Sequence, residues 1–167
     1  MKVLFTGGGT AGHINPALAA AGYLLQKEPD AQILYVGNKG GMEERLVPQA
    51  GYEIRTVHIS GFQRKLAPKN LWRNAQTVVR VFTATAEAKR IIQEFAPDVC
   101  VGTGGYVSGP VIREAAKLGI PCVIHESNAY PGVTTKMLAK SVKTVMLAVP
   151  DAKKYFDASV NCVVTGN

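Results

Sequence analysis

Residues 3–16 read VLFTGGGTAGHINP. The apolar run Val3, Leu4, Phe5 ends in glycines at 7, 8, 9 and 12. His13 follows, and then Asn15 and Pro16, which are expected to open a helix. A strand that passes through glycines into a helix N-terminus is a device for holding phosphate. The glycines let backbone N–H groups approach an anion, and the helix end adds partial positive charge. Gly7, Gly9 and Gly12 also satisfy the dinucleotide spacing G-x-G-x-x-G. That fingerprint wants an acid at the end of the second strand for a ribose, and the place reads Gly37-Asn38-Lys39. A nicotinamide-dependent oxidoreductase therefore stands only as a minority alternative.

The rest of the chain repeats the same alternation. Strands are expected near 2–6, 32–36, 53–57, 98–101, 121–125, 143–147 and 161–165, and helices near 15–27, 42–50, 69–95, 109–118 and 132–140. Short unalternating apolar runs such as VCVG (99–102) and PCVIH (121–125) suit parallel strands buried on both faces. The fold class is α/β, a Rossmann-like doubly wound parallel sheet with right-handed crossovers. In a 3-2-1-4-5 strand order the ligand crevice lies between the first and fourth strands. The fourth strand ends in a second glycine loop, GTGGYVSGP (102–110), and the fifth in HESN (125–128). Polar and glycine residues thus gather at one sheet edge.

His13 stands at the mouth of that crevice, and an imidazole with an ordinary pKa near 6.5 suits a general base around neutrality. His58, after the third strand, reads as a structural loop residue, and His125 as a residue that orients Glu126. Glu126 and Asn128 are the polar groups expected to touch ligand.

A chain of 167 residues, 47% hydrophobic and 19% charged, is long enough for one domain with a true core. Neither a secretory signal nor a run of roughly 18–20 apolar residues is seen. Cys100, Cys122 and Cys162 sit singly in apolar runs. They read as reduced core residues of a cytoplasmic protein, with no disulfide framework and no zinc spacing.

Nearly all of the +7 net charge is local, because residues 64–90 hold seven basic residues against Glu87 alone. At 100° per residue, Leu71, Ala75, Val78 and Phe82 share one helix face, expected to pack on the sheet. Lys69, Arg73 and Arg80 share another, with Trp72 at the border. Upstream lie Phe62, Arg64, Lys65 and Leu66. Basic side chains interleaved with large apolar ones suit an anionic phospholipid surface. Nucleic acid is the weaker partner, since the aromatics form no stacking platform and no nucleic-acid motif occurs.

The motifs GGTAGHINPALA (8–19), GNKGGMEERLVPQAG (37–51), ISGF (59–62), PDVCVGTGGYVSGPV (97–111), GIPCVIHESNAYPGVTTKMLAK (119–140) and VVTGN (163–167) occur in order along the chain. With them the sequence resembles the bacterial N-acetylglucosaminyltransferases that act on lipid I, the MurG family. The resemblance implies one half of a GT-B glycosyltransferase. Residues 1–167 would be the N-terminal, acceptor-binding domain, with a C-terminal donor-binding domain outside this chain. The implied reaction moves N-acetylglucosamine from UDP-N-acetylglucosamine to the C4 hydroxyl of lipid I (undecaprenyl-diphospho-N-acetylmuramoyl-pentapeptide), with inversion, to form lipid II for peptidoglycan. It needs no cofactor and no bound catalytic metal. The enzyme would be peripheral, on the cytoplasmic face of the membrane.

By the same resemblance His13 is the catalytic base. Thr10, Ala11 and Gly12 lie near the donor and acceptor diphosphates. Gly104, Gly105 and Tyr106 form the second loop at the acceptor diphosphate, with Glu126 beside Asn128, which contacts the donor sugar. Ala11, Ser127 and Thr135 depart from the commoner glycine, glutamine and asparagine. An alternative of another class is a non-catalytic, membrane-binding subunit of a split glycosyltransferase.

Overall fold

The structure is a computed structural model that describes residues 1–59 and 68–167, with side chains omitted over 68–81. Seven strands form one sheet: β1 (Lys2–Thr6), β2 (Gln32–Asn38), β3 (Glu53–Val57), β4 (Val99–Gly102), β5 (Cys122–Glu126), β6 (Thr144–Leu147) and β7 (Cys162–Val164). Their order is β3-β2-β1-β4-β5-β6-β7, and every neighbouring pair is parallel. The helices are α1 (Ala11–Lys27), α2 (Glu43–Gln49), α3 (Pro68–Phe95), α4 (Ser108–Lys117) and α5 (Val133–Leu138). Two 3₁₀ turns follow, Ala139–Ser141 and Pro150–Tyr155.

Alternation along β1 shows how the sheet is clothed on both sides. Val3 and Phe5 pack with Ile14, Ala17 and Ala21 of α1 and Val47 of α2. Leu4 points the other way, into a larger core with Ala84, Ala88 and Ile92 of α3 and Val111 of α4. Because β1 pairs with β2 on one side and β4 on the other, chain order reverses there. The two glycine loops therefore emerge side by side at the carboxyl end of the sheet.

Two expectations need correction. Helix α1 begins at Ala11, four residues before the expected start, with Thr10 extended at its N-cap. Pro16 lies inside the helix. Proline cannot donate to the Gly12 carbonyl, a loss tolerable near the helix start, where Gly12 is exposed. His13 is accordingly a first-turn residue of α1. Phe82 does not face the sheet. It is 71% exposed, while Ala84, Ala88, Ile91 and Ile92 supply the buried face of α3.

Candidate functional site

The loop after β1 is pinned residue by residue. The Gly7 carbonyl accepts the hydroxyl of Tyr35, which rises from β2, at 3.0 Å. The Gly8 N–H donates to the Gly104 carbonyl at 3.3 Å. The Gly9 N–H donates to Glu43 Oε2 at 3.3 Å. The next three amides, those of Thr10, Ala11 and Gly12, precede the first intrahelical donor of α1 and have no partner among the described residues. Burial, and then the nearby Glu43 carboxylate, raise the Tyr35 phenol above its ordinary pKa, so it stays a neutral donor.

The second loop closes on the first. Gly104 and Gly105 have φ of +107° and +78°, which β-carbon-bearing residues rarely adopt. A methyl on Gly105 would collide with the Gly8 carbonyl, and one on Gly104 would stand 2.5 Å from His13 Nδ1. Tyr106, partly exposed, lies beside Gly9. The two loops form one floor.

His13 belongs to both. Its Nδ1 lies 3.1 Å from the Thr103 carbonyl, and the Thr103 hydroxyl donates back to the His13 carbonyl at 2.6 Å. A carbonyl oxygen can only accept, so Nδ1 carries the hydrogen. The neutral ring therefore keeps its lone pair at Nε2. The residue is half-buried, so an imidazole in the tautomer a base requires stands at the edge of the crevice.

At the end of β5 the carboxylate of Glu126 is buried and fully used by its own loop. Oε1 accepts the Asn128 N–H at 3.0 Å and its Nδ2 at 2.8 Å. Oε2 accepts the Gly132 N–H at 2.9 Å and the Thr135 hydroxyl at 2.7 Å. Burial pushes this carboxyl up. The hydrogen bonds from Thr135, Gly132 and Asn128 together outweigh it and hold the pKa below the ordinary carboxylate value. Asn128 is exposed. With its Nδ2 committed, it presents Oδ1 as an acceptor.

His125 Nε2 lies 3.0 Å from the Gly166 carbonyl, and its Nδ1 lies 3.4 Å from Ser127 Oγ. It ties the end of β5 to the chain beyond β7 and makes no bond to Glu126. His58 is bound through its backbone N–H, to Glu87 at 2.9 Å.

Three residues escaped the sequence reading, and a fourth, Thr135, was noted there only as a departure from the commoner asparagine. Thr103 acts through its carbonyl, which no side-chain pattern reveals. Tyr35 and Thr135 sit in runs that read as ordinary strand and helix. Glu43, wholly buried, accepts the Asn38 N–H at 2.8 Å as well as that of Gly9. The only sequence signal for it was the glycine-rich GNKGGMEERL stretch around it.

Of the membrane-facing candidates, Phe62, Arg64, Lys65 and Leu66 lie outside the described residues. Lys69, Trp72, Arg73 and Arg80 fall on α3, where only the backbone is described. Among the described residues no helix is long and apolar enough to cross a membrane, and no His, Cys, Asp or Glu cluster could hold a metal ion.

A doubly wound parallel sheet with two interlocked glycine loops at its reversal point defines the class: an α/β domain whose loops meet beyond its strand ends. Residues 3–147 match the glycosyltransferase family 28 N-terminal domain, and the chain belongs to that family. Over all 167 residues it is 48% identical to a UDP-N-acetylglucosamine–N-acetylmuramyl-(pentapeptide) pyrophosphoryl-undecaprenol N-acetylglucosamine transferase of Lactococcus lactis subsp. lactis. It is 49% identical to a protein of the same description from a Thermoanaerobacter strain. The crystal structure of Acinetobacter baumannii MurG superposes on 98% of the chain with a TM-score of 0.80 at 35% identity. The chain spans about 45% of the length of each of these relatives.

Proposed function

We propose that residues 1–167 are the acceptor-binding domain of an inverting glycosyltransferase, the donor-binding domain being supplied by further C-terminal sequence. The complete enzyme moves N-acetylglucosamine from UDP-N-acetylglucosamine to the C4 hydroxyl of lipid I and makes lipid II. What supports the choice of substrates is the description carried by relatives 48–49% identical over the whole chain. What supports the placement of the chemistry is the His13–Thr103 contact, which leaves the lone pair on Nε2, close to amides that have no partner among the described residues.

The mechanism follows from those groups. The amides of Thr10, Ala11 and Gly12, at the positive end of α1, hold a diphosphate, and the Gly104–Tyr106 loop completes its seat. His13 Nε2 accepts the C4 hydroxyl proton as the oxygen attacks the anomeric carbon. UDP departs from the opposite face with the bonding electrons, so the configuration inverts. The Thr103 carbonyl then stabilises the imidazolium through the Nδ1 hydrogen. Glu126 positions Asn128, whose Oδ1 accepts from a donor-sugar hydroxyl. No step requires a metal or cofactor.

The basic, aromatic-bearing segment 62–82 gives the enzyme its hold on the anionic cytoplasmic membrane face, where a lipid-linked acceptor resides. The test is transfer of labelled N-acetylglucosamine to lipid I by the full-length protein, with lipid II as the expected product. Residues 1–167 alone are expected to be inactive. Lipid II synthesis by that fragment, or none by the full-length protein, would refute the assignment.

A further inference from the structure

Gly8, in the loop after β1, and Gly37 and Gly41, in β2 and the loop after it, surround one object. A methyl on Gly8 or Gly37 would collide with the Glu43 side chain, and one on Gly41 would stand 2.5 Å from its Cδ. All three make room for a wholly buried carboxylate. No basic side chain pairs with Glu43 among the described residues. Its oxygens instead take one N–H from the end of β2, that of Asn38 at 2.8 Å, and one from the loop after β1, that of Gly9 at 3.3 Å.

We propose that Glu43 is a positioning residue that sets the anion-binding edge of the first loop. It occupies the Gly9 amide from behind, so that the three amides that follow, Thr10 to Gly12, are the ones offered to a ligand diphosphate. The positioning itself stands on geometry, and its effect on the lipid-linked acceptor rests on the function proposed above. His13 is held separately by Thr103, so Glu43 governs binding more than proton transfer.

Glu43→Gln separates the two bonds. A carboxamide keeps one acceptor, which stays with the shorter Asn38 contact. Its NH₂ then confronts the Gly9 N–H, donor against donor. Gly41→Ala reaches the same end from outside the loop by pushing the carboxylate out of its socket. Gly40→Ala is the control, because nothing lies within 4 Å of a methyl there although φ is +75°.

The experiment uses the full-length protein with hydrogen exchange over residues 7–13 and steady-state kinetics on lipid I. Glu43→Gln and Gly41→Ala are expected to speed exchange in that segment and raise the acceptor KM by about tenfold, with kcat falling less than about threefold. Gly40→Ala does neither. If Glu43→Gln does not fold, Gly41→Ala decides alone. Exchange unchanged from wild type in the folded variants, or faster exchange with the acceptor KM unmoved, overturns the proposal. If the wild-type enzyme fails to use lipid I, the assignment of substrate falls, while the exchange comparison still decides what Glu43 does.

Discussion

The imidazole Nδ1 of His13 and the carbonyl oxygen of Thr103 lie 3.1 Å apart, joining the first turn of α1 to the loop after β4. One hydrogen bond thus sets the tautomer of the ring and locks together the two loops that flank the crevice. In a ¹⁵N-histidine NMR spectrum at neutral-ring pH, His13 is expected to show a protonated Nδ1 and an unprotonated Nε2. The reverse pattern would remove the free acceptor that proton abstraction requires.

Replacing His13 by alanine in the full-length enzyme should lower kcat by roughly 10²–10⁴, the usual span for a general base. Steady-state transfer assays give the value. A loss smaller than about threefold would make His13 a structural link between the loops and nothing more.

The interlock of the loops predicts a contrast between two glycines of nearly equal φ, Gly105 at +78° and Gly119 at +79°. A methyl at Gly119 meets nothing within 4 Å, so Gly119→Ala should lose only the backbone strain of about 1–2 kcal/mol. Gly105→Ala adds a collision with the Gly8 carbonyl and should cost measurably more in chemical denaturation. Equal losses would mean the loops are not in contact.

Much of this arrangement was legible in the sequence, and the failures have physical causes. β1 and β3 fall at their expected bounds, β1 because it runs straight into the glycines at 7–9 and β3 because it is a short run that starts just after Gly51. Both glycine loops were visible as composition, and their convergence followed from strand order. Pro16 misled because it marks helix starts far more often than second turns. Phe82 fits an apolar stripe by spacing alone, but burial passes to the alanine and isoleucine positions further along α3. Glu43 and Gly8 are 35 residues apart in sequence, and periodicity carries no information about such a contact.

Glu126 makes stability depend on pH. Its carboxyl has a lowered pKa in the folded protein. Its contribution is therefore fully present above the unfolded glutamate value of about 4.3 and is lost as pH falls through the lower, folded one. Thr135→Val deletes one buried donor and should cost about 1–3 kcal/mol at pH 7. That difference should shrink in denaturation curves measured toward pH 3. A difference independent of pH would show that the hydroxyl does not serve the carboxylate.

Membrane binding should be electrostatic. Sedimentation with anionic vesicles is expected to capture the protein, weakening as salt rises, and neutral vesicles should not. Changing Lys69, Arg73 or Arg80 to glutamine should each weaken partitioning by about fivefold, the equivalent of about 1 kcal/mol per basic residue at the surface. Equal binding to both vesicle types would contradict this.

The most direct test of one shared diphosphate seat is an amide NMR titration of the full-length protein with a short-chain lipid I analogue. The resonances of Thr10, Ala11 and Gly12 and those of Gly104, Gly105 and Tyr106 should move together along a single binding curve. Movement of one loop alone, or of neither at saturation, would contradict it.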